Sequence, residues 1–146
     1  MSPTVSMLLI ITALLCVIAT LNAEAEGVSF EKALEEECKD FHHFYSRQVD
    51  WDDDLMELAE TEAQQPGNLE EGAYLMKHTT TRTFKEGDKR SMRTKVRIAL
   101  MGLVKHVQQI KVLTPGTKYG CGGVYNEKEK PRSMTVVCLY REGSNE

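Results

Sequence analysis

The chain has 146 residues, 22 acidic and 18 basic side chains, a formal net charge of −4 and 41% apolar content, enough for one globular domain and too little for two. A net negative charge without a clustered basic surface excludes broad binding to nucleic acid, which depends on releasing counterions from phosphate backbones. With four prolines and 27% charged residues, the composition is that of a packed domain rather than a disordered segment.

Met7 to Leu21 reads MLLIITALLCVIATL, an uncharged apolar run, and the first basic residue is Lys32. The run falls short of the roughly 20 residues that cross a bilayer. It fits the apolar core of a signal peptide over residues 1–23, with small residues placing cleavage after Ala23 or after Ala25. The alternative, an uncleaved anchor, lacks the flanking charge that would orient it. The reading is a secreted, extracellular protein with one domain over residues 26–146 and no membrane span in the mature chain. Cleavage removes Cys16 and leaves Cys38, Cys121 and Cys138. An odd count in an oxidising compartment means one pair plus one thiol that is buried or open to a second chain.

Phe30, Ala33, Leu34, Cys38, Phe41 and Tyr45 recur at steps of three and four and mark one face of a helix; Glu35, Glu36, Lys39 and Asp40 cover the other. Trp51-Asp52-Asp53-Asp54 then opens a second helix, carried by Leu55, Leu58, Ala59 and Ala63 to about Gln64, where Pro66-Gly67-Asn68 stops it. Glu70 to Asp88 is weakly patterned and reads as a turn or short strand followed by a loop. From Ser91 to Leu103 the apolar residues Met92, Val96, Ala99, Leu100 and Leu103 share a helical face, with Lys89, Arg90, Arg93, Lys95 and Arg97 elsewhere. The basic side is read as a solvated face of a core helix rather than a surface for anionic lipid. The last third, VQQIKVL, KYGCGGVY and MTVVCLY, separated by turn residues, predicts three strands of an antiparallel sheet. Helices first and sheet last make an α+β domain. Cys121 and Cys138 lie in strand-like sequence and Cys38 in helical sequence, so Cys121–Cys138 is the expected disulfide and Cys38 the unpaired thiol candidate. Such a bond closes a loop of about 17 residues, worth about 3 kcal/mol on a loop-entropy account.

Several stretches resemble the CAP superfamily of cysteine-rich secretory, antigen 5 and pathogenesis-related proteins, the SCP domains. Phe41 to Arg47 followed by Trp51-Asp52-Asp53-Asp54-Leu55 is similar to its opening helices, His106-Val107-Gln108-Gln109 to its H-[FY]-T-Q, Thr117-Lys118-Tyr119-Gly120-Cys121-Gly122 to its G-C-G motif, and Val136-Val137-Cys138-Leu139-Tyr140 to its V-V-C-x-Y. The resemblance covers roughly residues 30–141. It implies an α-β-α sandwich with a small antiparallel sheet between helical layers, Cys121 bonded to Cys138, and a cleft near His106 and Gln109. It also implies a non-enzymatic binding role with a sterol, a fatty acid or an extracellular protein as partner. The family's metal tetrad does not carry over. With Gly72-Ala73-Tyr74-Leu75 set against G-E-N-L, its second histidine falls on Gln65 and its first glutamate on Ala73, and Ser91 to Leu103 holds no acidic residue; only His106 matches. Neither Gln nor Ala replaces such ligands, so no metal and no cofactor is expected.

The remaining chemistry-bearing residues have plain readings. His106 reads as a strand-start histidine bonded to backbone. Adjacent His42 and His43 diverge by about 100° on a helix and do not chelate together. Asp52 to Asp54 lack the calcium-loop pattern and read as a helix cap. Zinc is disfavoured because C-x-x-C is absent and the four histidines are not spaced as ligands. Cys38 and His42, at i and i+4, share a helical face and are the one inexpensive nucleophile–base pairing; read as helical coincidence, they leave an enzyme as the minority alternative, alongside a covalent dimer linked through Cys38. No Asn-x-Ser/Thr occurs, so N-glycosylation is not expected.

Overall fold

The computed structural model describes residues 27–144; the expected leader and its cleavage sites lie outside them. In chain order the elements are α1 (Phe30–Tyr45), β1 (Asp50–Trp51), α2 (Asp53–Gln64), β2 (Met76–Phe84), α3 (Met92–Leu100), a 3-10 segment (Met101–His106), α4 (Val107–Lys111), β3 (Lys118–Asn126) and β4 (Arg132–Arg141). This is the expected α+β class.

Each main helix begins on a side-chain cap that satisfies an otherwise orphaned backbone donor. The Ser29 hydroxyl accepts from the Lys32 amide at 3.3 Å, and the Asp52 carboxylate from the Leu55 amide at 2.9 Å. Ser91 does the same for Thr94 at 3.2 Å.

The strands form one sheet in the order β1-β3-β4-β2. β3 and β4 are a hairpin and occupy the centre, so β4 is buried on both faces. Met134, Val136, Cys138 and Tyr140 enter the core beneath α1 and α3, while Val137 and Leu139 meet Leu55, Ala59 and Ala63 of α2 on the opposite face. This is period-two alternation with both sides covered, and it sandwiches the sheet between helical layers.

Gly120 and Gly122 of β3 face α2. A Cβ on Gly120 would overlap the backbone of Met56, Asp52 and Leu55, and one on Gly122 the backbone of Glu60 and Met56. Glycine at alternate positions therefore lets a helix lie backbone to backbone on a strand, with Cys121 between them pointing the other way.

Three expectations are corrected. The sheet is mixed rather than antiparallel, because Asp50 and Trp51 pair in parallel with Lys118 and Tyr119. The stretch from Glu70 to Asp88 contains a nine-residue strand, β2, antiparallel to β4; its outer positions are threonines and charges that gave little apolar signal. VQQIKVL is helical, not a strand, over Val107–Lys111. Leu103, Val107 and Ile110, all buried, continue the helical spacing of α3, and that burial outweighs the β propensity of Val and Ile.

The basic side of α3 is also not simply solvated. Arg93 pairs with Glu36 and, at 3.3 Å, with Glu37 of α1, and the Arg97 guanidinium donates to Glu37 at 2.5 Å. Lys95 is buried, its ammonium 5.7 Å from the centre of the Tyr125 ring, a cation–π contact. The acidic flank of one helix and the basic flank of the other lock the two together.

Candidate functional site

Beneath α1, three cysteines and a histidine from three elements converge. Cys38 and His42 stand one turn apart on α1, and Cys121 of β3 is directly opposite Cys138 of β4 in the strand register. The ligand atoms of all four lie within 4.8 Å of one another, and all four residues are buried. Cys121 is at bonding distance from both Cys38 and Cys138, with Cα separations of 6.5 and 4.1 Å, and the sulfurs of Cys38 and Cys138 are 3.9 Å apart.

His42 is held on every side. Its Nδ1–H donates to the Cys38 carbonyl at 2.8 Å and lies 3.5 Å from Cys38 Sγ. Its Nε2 accepts from the Tyr140 hydroxyl at 2.7 Å, and its ring stacks on Tyr119 with centroids 4.2 Å apart. Burial pulls its pKa down to about 4 against the opposing pull of the Cys38 carbonyl, with His78 acting in the same direction as burial, so the ring is neutral at physiological pH. The same burial pushes the Tyr140 hydroxyl far above its ordinary range and Tyr119 up to about 12.

A pair of stacked imidazoles adjoins this cluster. His78 of β2 is buried, stacks on His106 and approaches the Tyr140 ring at 5.6 Å. His106 is thus the end of the 3-10 segment and a stacking partner, not a strand-start residue. Gln109 is exposed on α4, and neither residue lines the cleft described next.

That cleft, of about 630 Å³, lies between the N-terminal end of α1 and the β3–β4 hairpin. Phe30, Met92 and Tyr125 give it apolar walls. Glu31, Glu60, Glu127 and Glu129 supply four carboxylates against the single ammonium of Lys128. A smaller cavity of about 260 Å³ between α1 and α2 adjoins it, floored by Cys121, Gly122 and Gly123.

The sequence pointed to Cys121 with Cys138, and to Cys38 with His42, as separate pairs; the fold merges them. Asp52 caps α2 as read, and Asp53 accepts from the Trp51 indole at 2.8 Å. His43 is exposed while His42 is buried, so the two diverge as expected. The spacing argument against a metal-ligating set did not reach the Cys/His cluster, because its members are brought together across 83 and 17 residues of chain. Missed as functional candidates were Tyr140, His78 and the cleft carboxylates. No local spacing in the sequence marks them, since each acquires its neighbours through strand pairing or helix packing.

The site belongs to a disulfide-bearing α+β sandwich with an acidic cleft beside its first helix. The chain matches the family of 15 kDa excretory/secretory proteins over residues 37–142, and it belongs to that family. It is 32% identical over 99 residues to the 30 kDa antigenic glycoprotein of Trichostrongylus colubriformis, an alignment covering 67% of this chain and 71% of that protein. Its fold is similar to the solved structure of manganese-bound Ac-ASP-7, with a TM-score of 0.51 at 15% identity over 82% of this chain and 71% of the other; at that identity the likeness concerns the fold alone. The resemblance to the CAP superfamily is thereby corrected, since the family match is to the excretory/secretory proteins. The short motifs that suggested it have a local cause: the glycines flanking Cys121 admit α2, and the paired cysteines are opposed residues of a hairpin. Among the described residues, no helix is long and apolar enough to cross a membrane.

Proposed function

We propose that the protein acts outside the cell as a non-enzymatic binding protein, taking a basic and partly apolar segment of an extracellular protein into the cleft beside α1. The observation that carries this reading is the lining of that cleft, in which apolar walls from Phe30, Met92 and Tyr125 are rimmed by four glutamates and one lysine. A fatty acid would bring its own carboxylate against those glutamates, whereas lysine or arginine side chains complement them, and charge complementarity governs both encounter and partner choice. Membership of an excretory/secretory family and similarity to an antigenic glycoprotein support an extracellular setting. A non-catalytic role is supported by the burial of Cys38, at 0% exposure, beside an equally buried His42: a nucleophile–base pairing there is sealed from substrate.

The test is calorimetric titration of the purified secreted protein with a lysine-rich amphipathic peptide, its glutamate-rich counterpart, oleate and cholesterol. The expected result is binding of the basic peptide alone, weakening with added salt and in a Glu31→Gln/Glu127→Gln double variant. Retention of oleate or cholesterol with no response to the basic peptide overturns the reading in favour of a lipid carrier.

A further inference from the structure

Cys38, Cys121 and Cys138 present an arithmetic that the fold makes physical. A cysteine sulfur forms one disulfide at a time, yet Cys121 is placed to bond either Cys38 or Cys138. The Cα separation of 6.5 Å to Cys38 falls in the range that disulfides span, and 4.1 Å to Cys138, its directly opposed residue in the strand register, lies just below that range. Whichever bond is made, the third sulfur stays beside it, because Cys38 and Cys138 are 3.9 Å apart. All three are at most 1% exposed, Cys121 lying in the floor of the smaller cavity and Cys38 and Cys138 fully buried behind it.

We propose that these three cysteines form an internal thiol–disulfide exchange centre in which Cys121 trades partners, so that the protein alternates between a bond within the sheet and a bond tying α1 to the sheet. In the forward step the Cys38 sulfur attacks Cys121 Sγ as its proton leaves toward Cys138 Sγ, 3.9 Å away. The Cys38–Cys121 bond forms as the Cys121–Cys138 bond breaks, and Cys138 leaves as a thiolate that takes up the proton. One disulfide and one thiol stand on each side of the step, so it consumes neither oxidant nor reductant. His42 is the positioning residue: with Nε2 engaged by the Tyr140 hydroxyl, its Nδ1–H is directed at the Cys38 carbonyl and lies 3.5 Å from Cys38 Sγ, where it donates to the thiolate as it forms.

The two bonds close loops of very different size, 83 and 17 residues. In an unfolded chain, loop closure alone favours the short loop by about tenfold. A substantial share of Cys38–Cys121 in the native protein is therefore the work of the fold, which delivers α1 onto β3. The state of the bond decides whether α1, which walls both cavities, is covalently anchored to the sheet.

The experiment maps the disulfides of the full secreted protein. Exchange is quenched with acid, which removes the thiolate; free thiols are blocked with a maleimide in acidic denaturant, and the digested peptides are identified by mass spectrometry. The expected result is both crosslinks, Cys38–Cys121 and Cys121–Cys138, with blocked Cys138 and Cys38 in matching shares, and Cys121–Cys138 ahead of Cys38–Cys121 by about tenfold when the protein is first equilibrated in neutral denaturant. His42→Gln is expected to slow the return to the native ratio several-fold when acid-quenched protein is brought back to neutral pH, a rate that a purely packing role leaves unchanged. The wild-type map decides even where that variant does not fold. A single native pairing, a dimer linked through Cys38, or three free thiols around one bound zinc in native mass spectrometry each overturns the proposal.

Discussion

His78 and His106 stack face to face, their ring centroids 3.9 Å apart and their planes 11° from parallel. Burial, the neighbouring His106 and then Lys105 pull the pKa of His78 down to about 4, and its Nε2 has no hydrogen-bond partner among the described residues. His42, whose ring faces the Cys38 carbonyl, Tyr140 and Tyr119, is likewise pulled down to about 4, chiefly by burial. Both rings are neutral in the folded chain and protonate near pH 6.5 when it unfolds, so between pH 6.5 and 4 the unfolded state binds more protons. Stability is full above that window and falls as pH drops through it, by on the order of 2 to 3 kcal/mol for each ring. Thermal melts of the wild type are expected to shift down steadily from pH 6.5 to 4, and His78→Gln to flatten part of that slope. An identical slope in the variant would remove His78 from the account and leave the acid loss to His42 and the carboxylates.

Gly122 and the backbone of Glu60 define how closely α2 can approach the sheet. Gly122→Ala places a methyl group against the Glu60 and Met56 main chain, which has no rotamer to yield. The helix must shift, at a cost of about 1 to 3 kcal/mol typical of overpacking. Urea denaturation is the measurement. Alanine at Gly67, where nothing lies within 4 Å of a built Cβ, serves as a control for the backbone effect, since φ is +91° there and its cost reflects conformation alone.

How much of this was legible in the sequence follows from the range of the interactions involved. α1 and α2 were readable because their signals are local: a three-four spacing, a cap at Asp52, and a stop at Pro66-Gly67. β3 and β4 were readable from dense β-branched and aromatic residues broken by turns. The stretch at Val107–Lys111 was misread because its β-branched residues pack helically behind α3, a tertiary preference that propensity does not carry. The candidate site was half legible. The opposition of Cys121 and Cys138 is a short hairpin and the contact of Cys38 with His42 a single helical turn, but their merger depends on α1 crossing β3, and the stacking of His78 on His106 on β2 meeting the 3-10 segment.

Glu62 and Lys77 form an ion pair of 2.8 Å in which the carboxylate, on α2, is buried and the lysine, on β2, is one-third exposed. Glu62 also accepts from the Gly67 amide at 3.1 Å, so it joins the sheet to both the helix and its terminating turn. The hydrogen bond from Lys77 outweighs desolvation and holds the carboxyl below its ordinary value of 4.5. Its contribution is present above about pH 4.5 and lost as pH falls further, a window below that of the histidines. Glu62→Gln is expected to lower stability by about 1 to 3 kcal/mol at pH 7 and to bring the wild-type and variant melting curves together toward pH 3. A constant gap across that range would place the effect in packing rather than charge.

The stabilisation due to the hairpin disulfide is separable from the sulfur cluster by comparing two variants. Cys38→Ser leaves Cys121 and Cys138 opposite one another with no third thiol, so a single bond closes a loop of 17 residues. Adding Cys121→Ser leaves Cys138 without a partner in the cluster, so the cluster holds no bond. Loop-entropy reasoning gives about 3 kcal/mol for the difference, and small secreted domains typically lose about 2 to 5 kcal/mol with a native disulfide. The double variant is therefore expected to melt well below Cys38→Ser under oxidising conditions and to match it once both are reduced. If the two melt together before reduction, the Cys121–Cys138 bond contributes nothing to the folded state, and the helix-to-sheet bond through Cys38 is left as the sole stabilising link of the cluster.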